Sequence, residues 1–237
     1  GASTLAAFED GNNYQNNKQN LFRNTIGFNT NFFNNTFRIN GDYTFRYNDR
    51  DYFWKRVKVP YYQNANAETP SYTGDLNGII YEWTGQTLYT ASNIYAEYEN
   101  TFAYTHYIKA MAGWNYETSA YKANSIERNQ LLLPGAESIQ LATGTSITPG
   151  ASVTRWKTAG AFFRLNYGFM DRYLLEINGR YDGSSRFPDK QRWGFFPSIS
   201  GGWRLSEESF WKVSKNIFSD IKFRASYGSL GNGNIAP

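Results

Sequence analysis

Cysteine is missing from the 237 residues, and histidine occurs once, at His106. Disulfide staples and thiolate metal sites are therefore excluded, and a site built on two histidines is excluded with them. Long apolar runs are missing too. Counting glycine as apolar, no uninterrupted stretch exceeds five residues, whereas a transmembrane helix needs about 20. The N-terminus, GASTLAAFEDGNN, lacks the charged and apolar segments of a signal peptide. It fits a mature protein or a piece of a longer one. The charge balance is weak, with 24 Lys and Arg against 20 Asp and Glu. Those cations are scattered singly through the chain, which argues against a nucleic-acid partner despite the basic isoelectric point.

Aromatic residues, by contrast, are abundant. Phe, Tyr and Trp make up 19% of the chain, far too many for a disordered segment. Their spacing follows period two. In 35–48, Phe37, Ile39, Tyr43, Phe45 and Tyr47 share one parity, and Arg38, Asn40, Asp42, Thr44 and Arg46 share the other. Alternate strand side chains point to opposite sides, so this is an apolar wall backed by a hydrated one. The pattern predicts eight strands, at about 21–31, 36–48, 93–104, 106–117, 157–168, 172–182, 191–205 and 220–230. Most are ten to fourteen residues long, where soluble sheets average about five or six and a tilted membrane strand needs about 9–11.

The links add a rhythm. Short ones at 31–35, near Thr105 and at 169–171 alternate with long ones at 49–92 and 118–156. Medium links follow at 183–190 and 206–219. Outer-membrane barrels alternate short periplasmic turns with long external loops in the same way. The fold class expected is an all-β, antiparallel up-and-down transmembrane β-barrel segment, with one short helix in a periplasmic link. That helix is placed at SEESFWKVSKNIF, with Ser206 as its cap and Phe210, Val213 and Ile217 on one face. Pro197 and the following Gly201 and Gly202 suggest a bulge in the seventh strand. The competing fold is a soluble β-sandwich, such as a carbohydrate-binding module, whose aromatics pack a core.

In the barrel reading the charged parity lines a wet lumen, because a charge facing lipid costs about 2–4 kcal/mol near the midplane. The lumen-facing candidates are Arg38, Asp42, Arg46, Glu97, Glu99, Lys109, Glu117, Arg164, Glu176, Arg180, Lys222 and Arg224. Aromatics are expected at the two interfaces, with Tyr181 and Trp193 at the outer edge and Tyr104, Phe169, Tyr173 and Trp203 at the inner one. His106, beside a tight turn, is expected there as well.

Four runs resemble the barrel of SusC/RagA-type TonB-dependent transporters: AGAFFRLNYGF (159–169), RYLLEINGRYDGSSRF (172–187), RWGFFPSISGGWRLSEESF (192–210) and IKFRASYGSLGN (221–232). EYENTFAYTHYIKAMAGWNYE (97–117) resembles them more loosely. The resemblance implies a bacterial outer-membrane location and a wide barrel of 22 strands closed by a plug. It also implies energy from TonB, a SusD-like surface lipoprotein as lid, and oligosaccharide or peptide cargo. Residues 1–237 are then expected to be a partial barrel, with plug and remaining strands supplied elsewhere.

Candidates for the external rim, or for cargo and lid contact, are Asp182, Arg186, Trp83 and Tyr81. DGSSRF (182–187) is also ordinary turn chemistry, and the rings of 49–92 also suit a small core of their own. Glu97 and Glu99 stand at glycosidase-like spacing, yet a hydrated wall carries carboxylates without catalysis. No enzyme and no cofactor is expected. Asn48, Asp49 and Asp51 lack the glycine and distal glutamate of a calcium loop.

Overall fold

The structure is a computed structural model that describes residues 2–212, 218, 220–231 and 233. A helix, α1 (Ala2–Asp10), precedes the strands β1 (Tyr14–Phe32), β2 (Phe37–Arg56), β3 (Val59–Tyr61), β4 (Ser71–Thr73), β5 (Ile79–Phe102), β6 (His106–Asn129), β7 (Ile147–Phe169), β8 (Tyr173–Ser184), β9 (Trp193–Arg204) and β10 (Lys222–Gly228). Eight of them form one sheet in the order β1-β2-β5-β6-β7-β8-β9-β10, and β3 pairs with β4. Each of the eight expected strands is present, joined to its neighbour in sequence. Among the described residues no helix is long and apolar enough to cross a membrane.

The short links are mirror-image hairpin turns. Phe33 accepts from the Thr36 amide at 3.1 Å, Phe102 from that of Thr105 at 3.1 Å, and Phe169 from that of Arg172 at 3.0 Å. Their central pairs, Asn34 with Asn35, Ala103 with Tyr104 and Met170 with Asp171, all take positive φ. This is the type I′ conformation, whose twist matches that of the flanking strands. Asn tolerates it well, whereas Ala103, Tyr104 and Met170 hold it against steric preference.

The long links are shorter than expected. They span 57–78 and 130–146, because β2, β5, β6 and β7 run well past the ends read from alternation. Hydropathy alternation fades over 49–56, 79–92, 118–129 and 147–156, while backbone pairing needs no hydropathy pattern and continues. The bulge expected at Pro197 is absent. Gly179 pairs with Pro197 in a register that holds from Tyr173↔Trp203 to Gly183↔Trp193. A proline cannot donate to the ladder, but this one sits beside the end of β10. Its carbonyl accepts from the Ser229 amide at 3.0 Å, just past the last pair, Gly228↔Ser198.

In the last link, Leu205–Glu207 forms a 3-10 turn with no side-chain cap. The Ser206 hydroxyl donates to Asp220 Oδ1 at 3.0 Å and accepts from the Ile221 amide at 3.1 Å, so it is not the cap expected. Val213 and Ile217, on which the helical face was read, lie outside the described residues.

The chain forms two compact units. One comprises Gly1–Arg23, Arg46–Leu88 and Ala120–Arg155. The buried apolar residues among those described, Val57, Val59, Ile80, Ala123, Ala136 and Ala142, all belong to it. There α1 packs on β3, and Asn13 bridges Val57 by accepting from its amide at 2.7 Å and donating to its carbonyl at 3.2 Å. Gly74 has φ of +84°, and the space of a Cβ is filled by the Val57 carbonyl.

The other unit comprises Asn24–Phe45, Tyr89–Ser119 and Trp156–Pro237. It buries no large apolar side chain among its described residues. In β9, residue by residue, Trp193, Phe195, Pro197, Ile199, Gly201 and Trp203 are exposed, and Gly194, Phe196, Ser198, Ser200, Gly202 and Arg204 are half-buried. On the apolar side, rings lie over glycines of the neighbouring strand: Phe28 over Gly41, Phe163 and Phe195 over Gly179, and Trp193 over Gly183.

Candidate functional site

The polar face of the second unit is cross-linked from strand to strand. Arg38 on β2 reaches Glu97 Oε2 at 3.3 Å and Glu99 Oε2 at 2.7 Å on β5. Lys109 on β6 sits 3.7 Å from Glu97 Oε1 and 3.5 Å from Glu99 Oε2, and Tyr107 donates to Glu99 Oε1 at 2.9 Å. Two cations thus balance two carboxylates, and Arg38 and Tyr107 hydrogen-bond the carboxylates where they are partly shielded from water. The proximity that suggested an acid and base pair is real, but both carboxylates are engaged by cations. Farther along, Asn93 donates to Asp42 at 2.9 Å, and Tyr89 donates to Glu117 at 3.1 Å.

A second network crosses β6 to β9. Arg180 grips Asp182 with Nε at 3.0 Å and Nη2 at 2.9 Å, reaches Asn115 Oδ1 at 3.2 Å, and lies over the Phe162 ring at 5.4 Å. The fit requires Gly160, since a Cβ there would strike both Asp182 and Asn115. Arg164 donates to Asn178 at 2.7 Å, and Asn178 donates to Glu176 at 2.9 Å and Ser198 at 3.3 Å. Lys222 and Arg224 share this face on β10 and border a hollow with Glu176.

Of the rim candidates, Asp182 is held by Arg180. Arg186 lies over Trp156 at 4.5 Å and donates to the Gly233 carbonyl at 3.3 Å. These contacts give the DGSSRF turn a structural occupation. In the first unit Tyr81 stacks on Trp54 at 5.5 Å and meets Tyr52 edge-on at 6.0 Å, while the Trp83 ring lies over Gly85. Arg46 belongs to that unit, on β2. Among the described residues no group of three or more metal-ligating side chains converges. Asn48 instead accepts from Gln19 at 2.8 Å.

Aromatics gather at both ends of the apolar face. Tyr181 stacks on Trp193 at 5.1 Å at one end, and Phe169 stacks on Tyr173 at 6.3 Å at the other, where His106 meets Tyr167 at 2.8 Å. One cluster there was not foreseen. Glu208 accepts from the Tyr173 hydroxyl at 2.6 Å and the Trp203 indole at 2.9 Å, with Arg172 at 3.5 Å. Those bonds hold its carboxyl below the usual range. No local motif foretells it, because the three partners meet only through strand register.

Comparison with known proteins decides the family. A family model described as TonB dependent receptor-like, beta-barrel, matches residues 2–236. The chain belongs to this family of TonB-dependent receptor barrels. It is 46% identical over 85 residues to the TonB-dependent receptor SusC of Bacteroides thetaiotaomicron, covering 36% of this chain and 8% of that protein. It is 35% identical over 151 residues to TonB-dependent receptor P26 of Formosa agariphila, covering 53% of this chain and 15% of that one. Among solved structures, the RagAB peptide importer in its open-open state superposes with a TM-score of 0.81 at 18% identity, over 97% of this chain and 24% of the other. The chain therefore spans a small part of these relatives. As a TonB-dependent receptor barrel it is an outer-membrane protein, and the curated relatives it matches are TonB-dependent receptors.

Proposed function

We propose that this chain is one arc of the wall of a longer SusC/RagA-type transporter, whose plug and remaining strands lie elsewhere in the protein. The transporter takes up a bulky nutrient, an oligosaccharide or a peptide, when TonB displaces the plug, and a SusD-like lipoprotein covers its mouth. Lipid meets the apolar face, and the lumen-facing residues are those expected from parity, from Arg38 and Glu97 to Lys222 and Arg224. The type I′ turns mark the periplasmic edge and the links 57–78 and 130–146 the external one. Asp182, Arg186, Tyr81 and Trp83 stand toward that rim, where cargo and lid arrive. The mechanism is conformational gating, with no bond chemistry.

One observation carries this reading: in β9 Trp193, Phe195, Ile199 and Trp203 are exposed while Gly194, Ser198, Ser200 and Gly202 between them are half-buried. A soluble sandwich does the reverse, because burying apolar area is what stabilises it. The test uses nitroxides at Tyr43 and Asp42 in the full-length transporter in bilayers. Tyr43 should be relaxed by oxygen and Asp42 by a water-soluble reagent, and equal accessibility of the pair refutes the assignment.

A further inference from the structure

Three rings of the second unit stand on the polar parity. Tyr95 on β5 lies between Asn93 and Glu97, Phe162 on β7 between Gly160 and Arg164, and Phe196 on β9 between Gly194 and Ser198, counting alternate residues. Residues two apart on a strand share a face, so these rings belong to the wall that carries the ion pairs. They also share a row. Phe162 pairs with Arg180, and Arg180 pairs with Phe196. Tyr95 meets Phe162 across β6 with ring centres 6.5 Å apart. Gly113 permits that meeting, because a Cβ there would strike both Tyr95 and Phe162. The one charge in the row, Arg180, lies over the Phe162 ring at 5.4 Å and is paired with Asp182 at 2.9 Å.

The rows on either side are unlike it. On one side Gly160, Asp182 and Gly194 stand opposite one another, and on the other Arg164, Asn178 and Ser198 do so. Those rows hold water readily. The rings between them are only half-buried, so apolar area remains on a face otherwise built for water. No core of the unit consumes it, since none of its described large apolar side chains is buried. Nor can lipid cover it, because the parity is opposite to that of Phe163 and Phe195. A contiguous apolar strip of this kind marks a contact surface.

We infer that Tyr95, Phe162 and Phe196 form a dry seal, on which an apolar surface of the seated plug closes the seam between plug and wall to water and ions. The inference rests on the proposed function for the plug itself. The occupant is another part of the longer protein: this chain spans only 24% of the RagAB chain it superposes on. Passing cargo would cover the rings only while the plug is displaced, whereas exposed apolar area is unfavourable at all times. A seam lined by charged rows alone keeps its water film, and an apolar constriction expels it.

The experiment is ion conductance of the full-length transporter in planar bilayers, without cargo or TonB. Wild type should be closed. The triple variant Tyr95→Ser, Phe162→Ser, Phe196→Ser should raise basal conductance at least about fivefold, because a hydrated strip no longer excludes water. The triple variant Tyr95→Phe, Phe162→Leu, Phe196→Leu should stay within about twofold of wild type, which separates apolarity from ring chemistry. A second measurement needs no polar variant to fold. With p-benzoylphenylalanine replacing Phe162 in otherwise wild-type protein, irradiation should join position 162 to a peptide from outside residues 1–237. A folded serine variant as closed as wild type, an apolar variant as leaky as the serine one, or crosslinks confined to residues 1–237 overturns the seal. A wild type that conducts freely overturns the plugged transporter beneath it, so the two failures are distinct.

Discussion

Ile199 and Ser200 are adjacent on β9, at the same depth and on opposite faces. Ile199 is flanked across the sheet by Ile177 and Tyr227, and Ser200 by Glu176 and Ser226. The neighbouring β8 has 12 residues, about 40 Å at ~3.3 Å per residue, and crosses roughly 28 Å at a tilt near 45°, against an apolar band about 25 Å tall. Both positions therefore fall near the midplane. Ile199→Arg should cost about 2–4 kcal/mol, a factor of roughly 30 to 1,000 in the unfolding equilibrium. Ser200→Arg, pointing into water beside Glu176, should change stability by less than about 1 kcal/mol. Denaturant unfolding of the full-length protein in bilayers, followed by tryptophan fluorescence, measures both. The penalty at Ile199 should shrink in lipids with shorter chains, because the guanidinium then reaches headgroups more easily. A packed protein face would be indifferent to lipid length. Equal costs at the two positions, or a cost at Ile199 that ignores bilayer thickness, refutes the sidedness of the sheet.

Further expectations concern the turns, the glycines and the link that carries Glu208. Replacing Ala103-Tyr104 by Asn-Gly should stabilise the protein by about 1 kcal/mol, measured as a shift in denaturant midpoint, since both positions need positive φ. Gly74→Ala should cost about 1–3 kcal/mol locally, because φ is positive and the Cβ meets the Val57 carbonyl. Faster proteolysis within 57–78 reports it. Gly160→Val should break the Arg180–Asp182–Asn115 network, visible as increased mobility of a nitroxide in the 182–187 turn. Glu208 has a lowered pKa in the folded protein, so its contribution to stability is full above the ordinary carboxylate range and is lost as pH falls through the depressed value. Glu208→Gln should therefore lessen the fall of the melting temperature below about pH 4, the remaining slope coming from other carboxylates such as Glu99.

Much of the sheet was legible because the membrane punishes charge on one face. Arg38, Asp42, Lys109, Arg164 and Arg224 betray the strand period and the hydrated side together. Over 49–56 and 118–129 the apolar and polar residues no longer alternate, and the pattern fades although pairing continues. The turns at Ala103-Tyr104 and Met170-Asp171 carry no glycine, so their geometry is imposed by the strands they join. Alternation also predicts faces without predicting register. It put Arg38, Glu97, Glu99 and Lys109 on one wall but could not bring them within bonding distance. Tyr173, Trp203 and Glu208 were hidden for the same reason.

Rings resting on glycines of the adjacent strand have a consequence for the surrounding lipid. Phe28, Phe163, Phe195 and Trp193 spend one face on backbone, so the relief they present outward is shallow. Acyl chains can then run along the wall without threading between upright side chains. Contact energy that would otherwise vary with each kind of lipid is kept inside the protein. Such a surface should tolerate changes in membrane composition and offer little grip for sideways association.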